Sequence, residues 1–203
     1  MFVSFDGIDG AGKSTQIEQF CAWLRQRGHE VVACRDPGST PAGEAIRDLL
    51  LQRQNIAIGS TAEMLLYMAA RSQLVDEVVR PALAAGKTIV SDRYLLANVV
   101  YQGHAGGVDV EQIWSVGQVA TQGLMPDLAI VLDLPLAAAT ARLNRPLDRM
   151  ERRGAEFLSR VRDGFLREAA RQPDRVVVVD ASGSIDEVQS EICRVVQRKF
   201  PGL

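Results

Sequence analysis

Apolar positions along the chain follow two alternating patterns. Phe2–Phe5, Val31–Cys34, Thr88–Val90, Leu128–Leu132 and Val176–Val179 are short, mostly continuous apolar runs, as expected of strands covered on both faces. Between them the spacing becomes helical. Ile17, Phe20, Cys21 and Leu24 form an i, i+3, i+4, i+7 stripe that ends before Gly28, a residue suited to the left-handed position after a helix. Thr40-Pro41 opens another helix, with proline at its tolerated first position. Thr61 is placed to cap a long helix whose apolar face is Met64, Leu65, Met68, Val75 and Val78. Asp109 with Gln112, and Ser184 with Glu187, have capping-box spacing. Gly103–Gly107 and Arg142–Arg153, where Pro146 interrupts a helical run, read as loops.

Five strands alternating with helices predict an α/β fold of three layers, a five-stranded parallel sheet with helices on both faces. No linker, repeat or low-complexity stretch divides residues 1–203, so a single domain is expected. The 23 Lys+Arg against 25 Asp+Glu give a net charge of −2, which argues against a nucleic-acid binder with a strongly basic face. Cys21, Cys34 and Cys193 form no C-x-x-C pair, and only two histidines are present. Zinc-type ligand spacing is therefore absent, and the thiols read as small hydrophobes in a reducing compartment. The amino terminus lacks a basic leader and no apolar run approaches the ~20 residues of a bilayer span. A cytoplasmic protein without membrane contact is expected.

Directly after the first strand stands Gly7-Ile8-Asp9-Gly10-Ala11-Gly12-Lys13-Ser14, followed by Thr15. It fits G-x-x-x-x-G-K-[ST], the P-loop. Its glycines let successive backbone N–H groups face an anion, and the helix that follows adds the positive end of its dipole. Lys13 would reach the outer phosphates of a nucleoside triphosphate and the Ser14 hydroxyl would ligate Mg²⁺. The motif is shared by motors, switches and kinases. No N-K-x-D guanine reader and no L-S-G-G-Q stretch is present, and Asp180-Ala181-Ser182-Gly183 reads as a turn before the last helix. A kinase for a small acceptor remains, with a non-catalytic ATP-binding regulator as the rival of a different class.

Asp92-Arg93-Tyr94 ends the third strand, where open α/β sheets bind ligands. Asp92 can hold Mg²⁺ or its water, and Arg93 can grip an acceptor phosphate. Arg35-Asp36-Pro37-Gly38 ends the second strand in the same way. Tyr67 and Arg71, four apart on one helix face, suit a flat heterocycle that the ring stacks on and the guanidinium donates to. Arg142, Arg145, Arg149, Arg152 and Arg153 crowd one short stretch with Asp148 and Glu151.

In this order and spacing, the P-loop with its internal Asp9, Arg35-Asp36-Pro37-Gly38, Tyr67-x-x-x-Arg71, Asp92-Arg93-Tyr94, Asn98-x-x-Tyr101-Gln102-Gly103 and Leu147-Asp148-Arg149-Met150-Glu151 resemble the thymidylate kinases over nearly the whole chain. Gly10 is similar to the bacterial branch, in which a lid supplies the catalytic arginine. The resemblance implies transfer of the γ-phosphoryl of MgATP to thymidine monophosphate. The alternatives are a kinase for another nucleoside monophosphate or a deoxynucleoside. It further implies that Asp9 meets the sugar 3′-hydroxyl, that Tyr67 stacks on thymine and that Arg71 bonds a base carbonyl. Asn98 and Gln102 would lie near base or phosphate, Tyr101 would crowd a ribose 2′ position, and the Asp36-Pro37-Gly38 loop would line the same pocket. Lys13, Asp92, Arg93 and Arg149 would be catalytic, Arg149 from a lid spanning about 142–153, with Arg142 against adenine. Relatives are homodimers, for which Ile113, Trp114, Val116, Val119 and Ala120 offer a surface. Two departures are visible: Asp36 stands where many members have Glu, and Ser39 where Gly is common.

Overall fold

The structure is a computed structural model of the chain and describes all residues except Gln54 and 144–147. Strands β1 (Phe2–Asp6), β2 (Val31–Arg35), β3 (Thr88–Asp92), β4 (Leu128–Asp133) and β5 (Val176–Asp180) form one parallel sheet in the order β2-β3-β1-β4-β5. Each runs one or two residues beyond its apolar run, because the ladder continues into a polar carboxyl end. Phe5 lies opposite Asp92, Arg35 opposite Asp92, and Asp133 opposite Asp180. The sheet therefore brings its strand-end charges to one edge, where ligands of open α/β sheets bind.

The helices are α1 (Lys13–Gln26), α2 (Pro41–Leu51), α3 (Ser60–Leu74), α4 (Arg80–Ala84), α5 (Leu95–Asn98), α6 (Val110–Thr121), α7 (Leu136–Arg142), α8 (Ala155–Arg171) and α9 (Ile185–Lys199). Residues of β1 serve opposite layers: Phe5 meets Phe20 of α1 at 5.5 Å, and Phe2 meets Tyr94 edge-on at 5.0 Å. The three inner strands are buried, but β2 and β5 lie at the sheet edges, and Ala33 and Val178 are exposed. The expectation of two covered faces fails for those two strands.

Three helix starts follow the sequence reading. Thr40 accepts from the Gly43 N–H at 2.9 Å, Asp109 from Gln112, and Ser184 and Glu187 form a reciprocal box. Thr61 does not cap α3: Gly59 holds that position and Thr61 sits in the first turn. Leu65 is exposed, since the buried arc of α3 is set by Met64, Met68 and Arg71, and the residue after Met64 lies about 100° further around. Gly103 and His104 are not in a loop. Val99–His104 is a wide π-helical turn that continues α5, and a second one, Val75–Val79, joins α3 to α4. Within the 142–153 stretch, Arg142 closes α7 and Glu151–Arg153 form a 3₁₀ turn, while Arg145, Pro146 and Leu147 lie outside the described residues. The three cysteines are free, and no described helix is long and apolar enough to cross a membrane.

Candidate active site

The loop between β1 and α1 is shaped by glycine at two close approaches. A Cβ on Gly7 would lie 2.5 Å from the Leu132 carbonyl oxygen, and one on Gly10 only 2.2 Å from that of Ala139. Both have positive φ, +127° and +85°, which side chains disfavour. The turn thus presses against β4 and α7 and delivers α1 with its amino end at the edge of the sheet. That end has neither a side-chain cap nor an acidic residue in its first turn. Such a terminus attracts an anion.

Lys13, the first residue of α1, is buried, and its Nζ donates to the Gly7 oxygen (3.1 Å), the Ile8 oxygen (3.0 Å) and Asp9 Oδ1 (3.3 Å). Arg93 approaches from β3. It donates to the same Gly7 oxygen (3.1 Å), to Asp9 Oδ1 (2.8 Å) and to the Tyr101 hydroxyl (3.2 Å). Its backbone is left-handed, at φ +67°, a strained state for arginine. Two bonds hold it there: its N–H donates to the Phe5 oxygen at 2.9 Å, and its carbonyl accepts from Ser91 Oγ at 2.6 Å. The strain aims the guanidinium back over the P-loop.

Asp9 is the carboxylate these two cations share. Burial alone would raise its pKa, yet Arg93 and Lys13 together hold it well below the usual carboxylate range. Lys13 is lowered, chiefly by burial and by Arg93 beside it. Asp6, at the end of β1, is fully buried and is pushed up to about 7 by that burial, against the pull of Arg93 and the Ser4 hydroxyl. Its unfolded counterpart titrates near 3.8. Between those values the folded state keeps a proton that the unfolded state releases, so stability falls as pH rises from about 4 to about 7. An Asp6→Asn variant escapes this loss. In chelator-treated samples it should match the parent near pH 4.5 and exceed it by a few kcal/mol above pH ~7.5, read from urea denaturation across that range.

Two cavities meet at this point. The first, about 1060 Å³, is lined by Asp9, Gly10, Gly12, Lys13, Ser14, Thr15, Asp92, Arg93 and Arg142, among others. A cleft beside it runs from Ala11 and Thr15 past Gln16 to Ala181 and Gly183, with the Arg142 guanidinium 3.4 Å from the Ala181 oxygen. The second cavity, about 570 Å³, holds Asp9, Asp36, Pro37, Tyr67, Arg71, Arg93, Asn98, Tyr101 and Gln102. Asp9 and Arg93 belong to both and stand at the junction. Arg71 is fully buried and donates to Asp36 Oδ2 (2.5 Å), Asn98 Oδ1 (3.1 Å) and the Tyr94 oxygen. Burial pushes the Asp36 carboxyl up and Arg71 pulls it down. The π-helical turn after α5 sets Tyr101 and Gln102 on this wall with Asn98; such wide turns concentrate at functional sites. Ser39, at φ +63°, takes the left-handed position that glycine favours. Its N–H donates to Glu44 Oε1 at 2.8 Å, which ties the Asp36 loop to α2.

All the expected site residues line these cavities or form the loop between them, except Arg149. That guanidinium donates to the backbone oxygens of Arg53 and Ile56, over the α2–α3 connection. Residues not singled out in the sequence also contribute. Arg47 of α2 borders both cavities and donates to the Pro37 oxygen at 3.0 Å; on an amphipathic helix it reads as a solvent-facing charge. Glu63 is buried behind Gln102 and takes Arg153 at 2.6 Å. A signal for it exists, since Glu63, Tyr67 and Arg71 repeat every four residues on one face of α3.

Comparison with known proteins gives a consistent result. The family model described as thymidylate kinase matches residues 5–192. A thymidylate kinase of Symbiobacterium thermophilum is 43% identical over 202 residues, 99% of this chain and 94% of the relative. One of Desulforudis audaxviator is 46% identical over 183 residues, covering 89% and 83%. The crystal structure of thymidylate kinase from Ehrlichia chaffeensis superposes with a TM-score of 0.81 at 29% identity, over 97% of this chain and 98% of that one.

Proposed function

The chain belongs to the thymidylate kinase family, and on that premise we propose how its residues divide the work of moving a phosphoryl group from ATP to thymidine monophosphate. The observation that carries the reading is the junction of the two cavities: Lys13, from the first, and Arg93, which lines both, reach the same oxygen of Asp9. A triphosphate over the amino end of α1 and a monophosphate beside Arg93 would meet there head to head. The bond between the γ-phosphorus and the β,γ-bridging oxygen breaks as an acceptor phosphate oxygen bonds to that phosphorus. ADP leaves and thymidine diphosphate forms, without a covalent enzyme intermediate. Little covalent work falls to the protein, so positioning and charge stabilisation supply the rate.

Gly7 to Thr15 would cradle the donor phosphates, and Arg142 would lie along the adenine in the cleft by Ala181. In the second cavity Tyr67 would stack on the base, Arg71 and Asn98 would bond its edge, and Asp36 would fix Arg71. Tyr101 would close the sugar's 2′ side, excluding ribose by clash. The residues fit Mg²⁺: Asp92 Oδ1 is buried with no hydrogen-bond partner among the described residues, and Ser14 lines the same cavity, a hard oxygen donor set. When bound, the ion would neutralise phosphate charge. Arg149 would need to leave the α2–α3 connection to take part. The reading includes a homodimer. Of the expected surface, Ile113 and Ala120 are inside the protomer, while Val119 is 77% exposed on α6.

A coupled ADP-release assay with ATP across nucleoside monophosphates and free nucleosides tests the assignment. Thymidine monophosphate should be the preferred acceptor and free thymidine should give only background turnover. Turnover confined to free nucleosides would overturn it.

A further inference from the structure

Behind the acceptor cavity runs an unbroken line of hydrogen-bonded side chains with a guanidinium at each end. Arg71 Nη1 donates to Asn98 Oδ1 (3.1 Å), Asn98 Nδ2 to Gln102 Oε1 (2.7 Å), and Gln102 Nε2 to Glu63 Oε1 (2.9 Å). Arg153, from the 3₁₀ turn before α8, donates to Glu63 Oε2 (2.6 Å). Arg71 and the three inner groups, Asn98, Gln102 and Glu63, are all at least 98% buried, so no solvent repairs a mismatch among them.

The line obeys a rule of hydrogen-bond polarity. A carboxamide accepts through its oxygen and donates through its nitrogen, so it passes polarity along unchanged. A guanidinium only donates. Between two guanidiniums, a run of amides must therefore contain one group that only accepts, and Glu63 is that group. Its place in the line also decides which way the amides face. Because it sits at the Arg153 end, Gln102 and Asn98 both turn their oxygens toward Arg71. The cavity wall then presents an N–H donor from Arg71 next to an acceptor from Asn98. This pair complements a ring carbonyl beside a ring N–H, as in thymine, and opposes the inverted edge of cytosine.

We propose that Glu63 is a positioning residue that sets the base preference of the acceptor site, by fixing the orientation of Gln102 and Asn98 and tying it to Arg153. The inference rests on the reading of this cavity as the nucleoside monophosphate site. Glu63 itself is not among the residues that line the cavity and acts through its neighbours.

Glu63→Gln replaces the acceptor-only group by one more amide. If the introduced amide turns its oxygen to Arg153, the whole line inverts and an Asn98 N–H faces the Arg71 guanidinium; if it does not, its own N–H faces Arg153. One donor must oppose another either way. The kcat/KM for thymidine monophosphate should fall roughly 10- to 100-fold, the range for an unsatisfied buried group. The ratio of deoxycytidine to thymidine monophosphate kcat/KM should rise about tenfold or more. Adding Arg153→Met removes one obligatory donor, letting the introduced amide turn its oxygen to Gln102. The double variant should therefore return to within about threefold of the parental ratio. Glu63→Asp, which still only accepts, and Arg153→Met alone should both keep it.

A purely structural ion pair predicts a ratio unmoved in every variant, with the second loss adding little to the first because the two partners are in contact. A parental ratio in Glu63→Gln, or an altered ratio that persists in the double variant, would overturn the proposal. If Glu63→Gln fails to fold, a folded double variant with the parental ratio supports it, and a double variant that also fails to fold overturns it. A parent enzyme that ignores thymidine monophosphate would refute the functional reading instead, a result distinct from all of these.

Discussion

Lys13→Ala should abolish nearly all turnover, by roughly 10³-fold or more in kcat, while leaving the protein folded. The two effects separate because the ammonium does different things in the free protein and during reaction. In the free protein it donates to two loop carbonyls and to Asp9. Asp9 keeps a second cation when Lys13 is lost, since Arg93 holds the same oxygen at 2.8 Å. Burial already lowers the pKa of Lys13, so the fold gains little net stability from its charge. During phosphoryl transfer, by contrast, charge gathers on oxygens that the loop N–H groups and Lys13 are placed to meet from the α1 side. Steady-state ADP release with both substrates saturating, alongside a thermal melt, distinguishes the cases. A melting temperature within a few degrees of the parent with turnover gone is the expected result. Turnover close to the parent would mean that the cradle does not hold the donor phosphates.

The separability of these roles explains how much of the molecule is legible in its residues. The P-loop is legible because its chemistry is local: glycines, lysine and serine act through backbone geometry within eight consecutive positions. Strands and caps are legible for the same reason, and Thr40, Asp109 and Ser184 each cap the helix expected of them. Sequence reading fails where tertiary packing decides. Leu65 has the right spacing for a buried stripe but lies just outside its arc, and Gly103 reads as a loop because glycine gives no sign of the π-helical turn that contains it. Arg47 and Glu63 escape notice for a related reason. In sequence a charge on an amphipathic helix is a solvated charge; the repeat with Tyr67 and Arg71 places Glu63 on their face, and the fold turns it inward between Gln102 and Arg153. Arg149 shows the converse, since membership of an arginine-rich stretch does not say which guanidinium faces the cavity.

Arg93 should be as indispensable as Lys13, with its loss felt first in the acceptor. Arg93→Ala removes a guanidinium that sits at the junction of the two cavities and faces Asp9 and Tyr101. Truncating one partner of a buried, hydrogen-bonded charge pair costs about 2–5 kcal/mol, so kcat/KM for thymidine monophosphate should fall by roughly 30- to 5,000-fold. The KM for ATP should move far less, because Lys13 and the amino end of α1 remain. The backbone supplies an internal control. At φ +67° alanine is strained and glycine is not, so Arg93→Gly should lose the same activity as Arg93→Ala yet be more stable by about 1 kcal/mol. That corresponds to ~2–4 °C in melting temperature for a chain of this size. Initial rates against each substrate, with paired melts of the two variants, measure both. Equal stability would show that the strained turn relaxes without the side chain. A raised KM for ATP with the acceptor unaffected would place Arg93 on the donor instead, and the head-to-head arrangement of the two nucleotides would have to be abandoned.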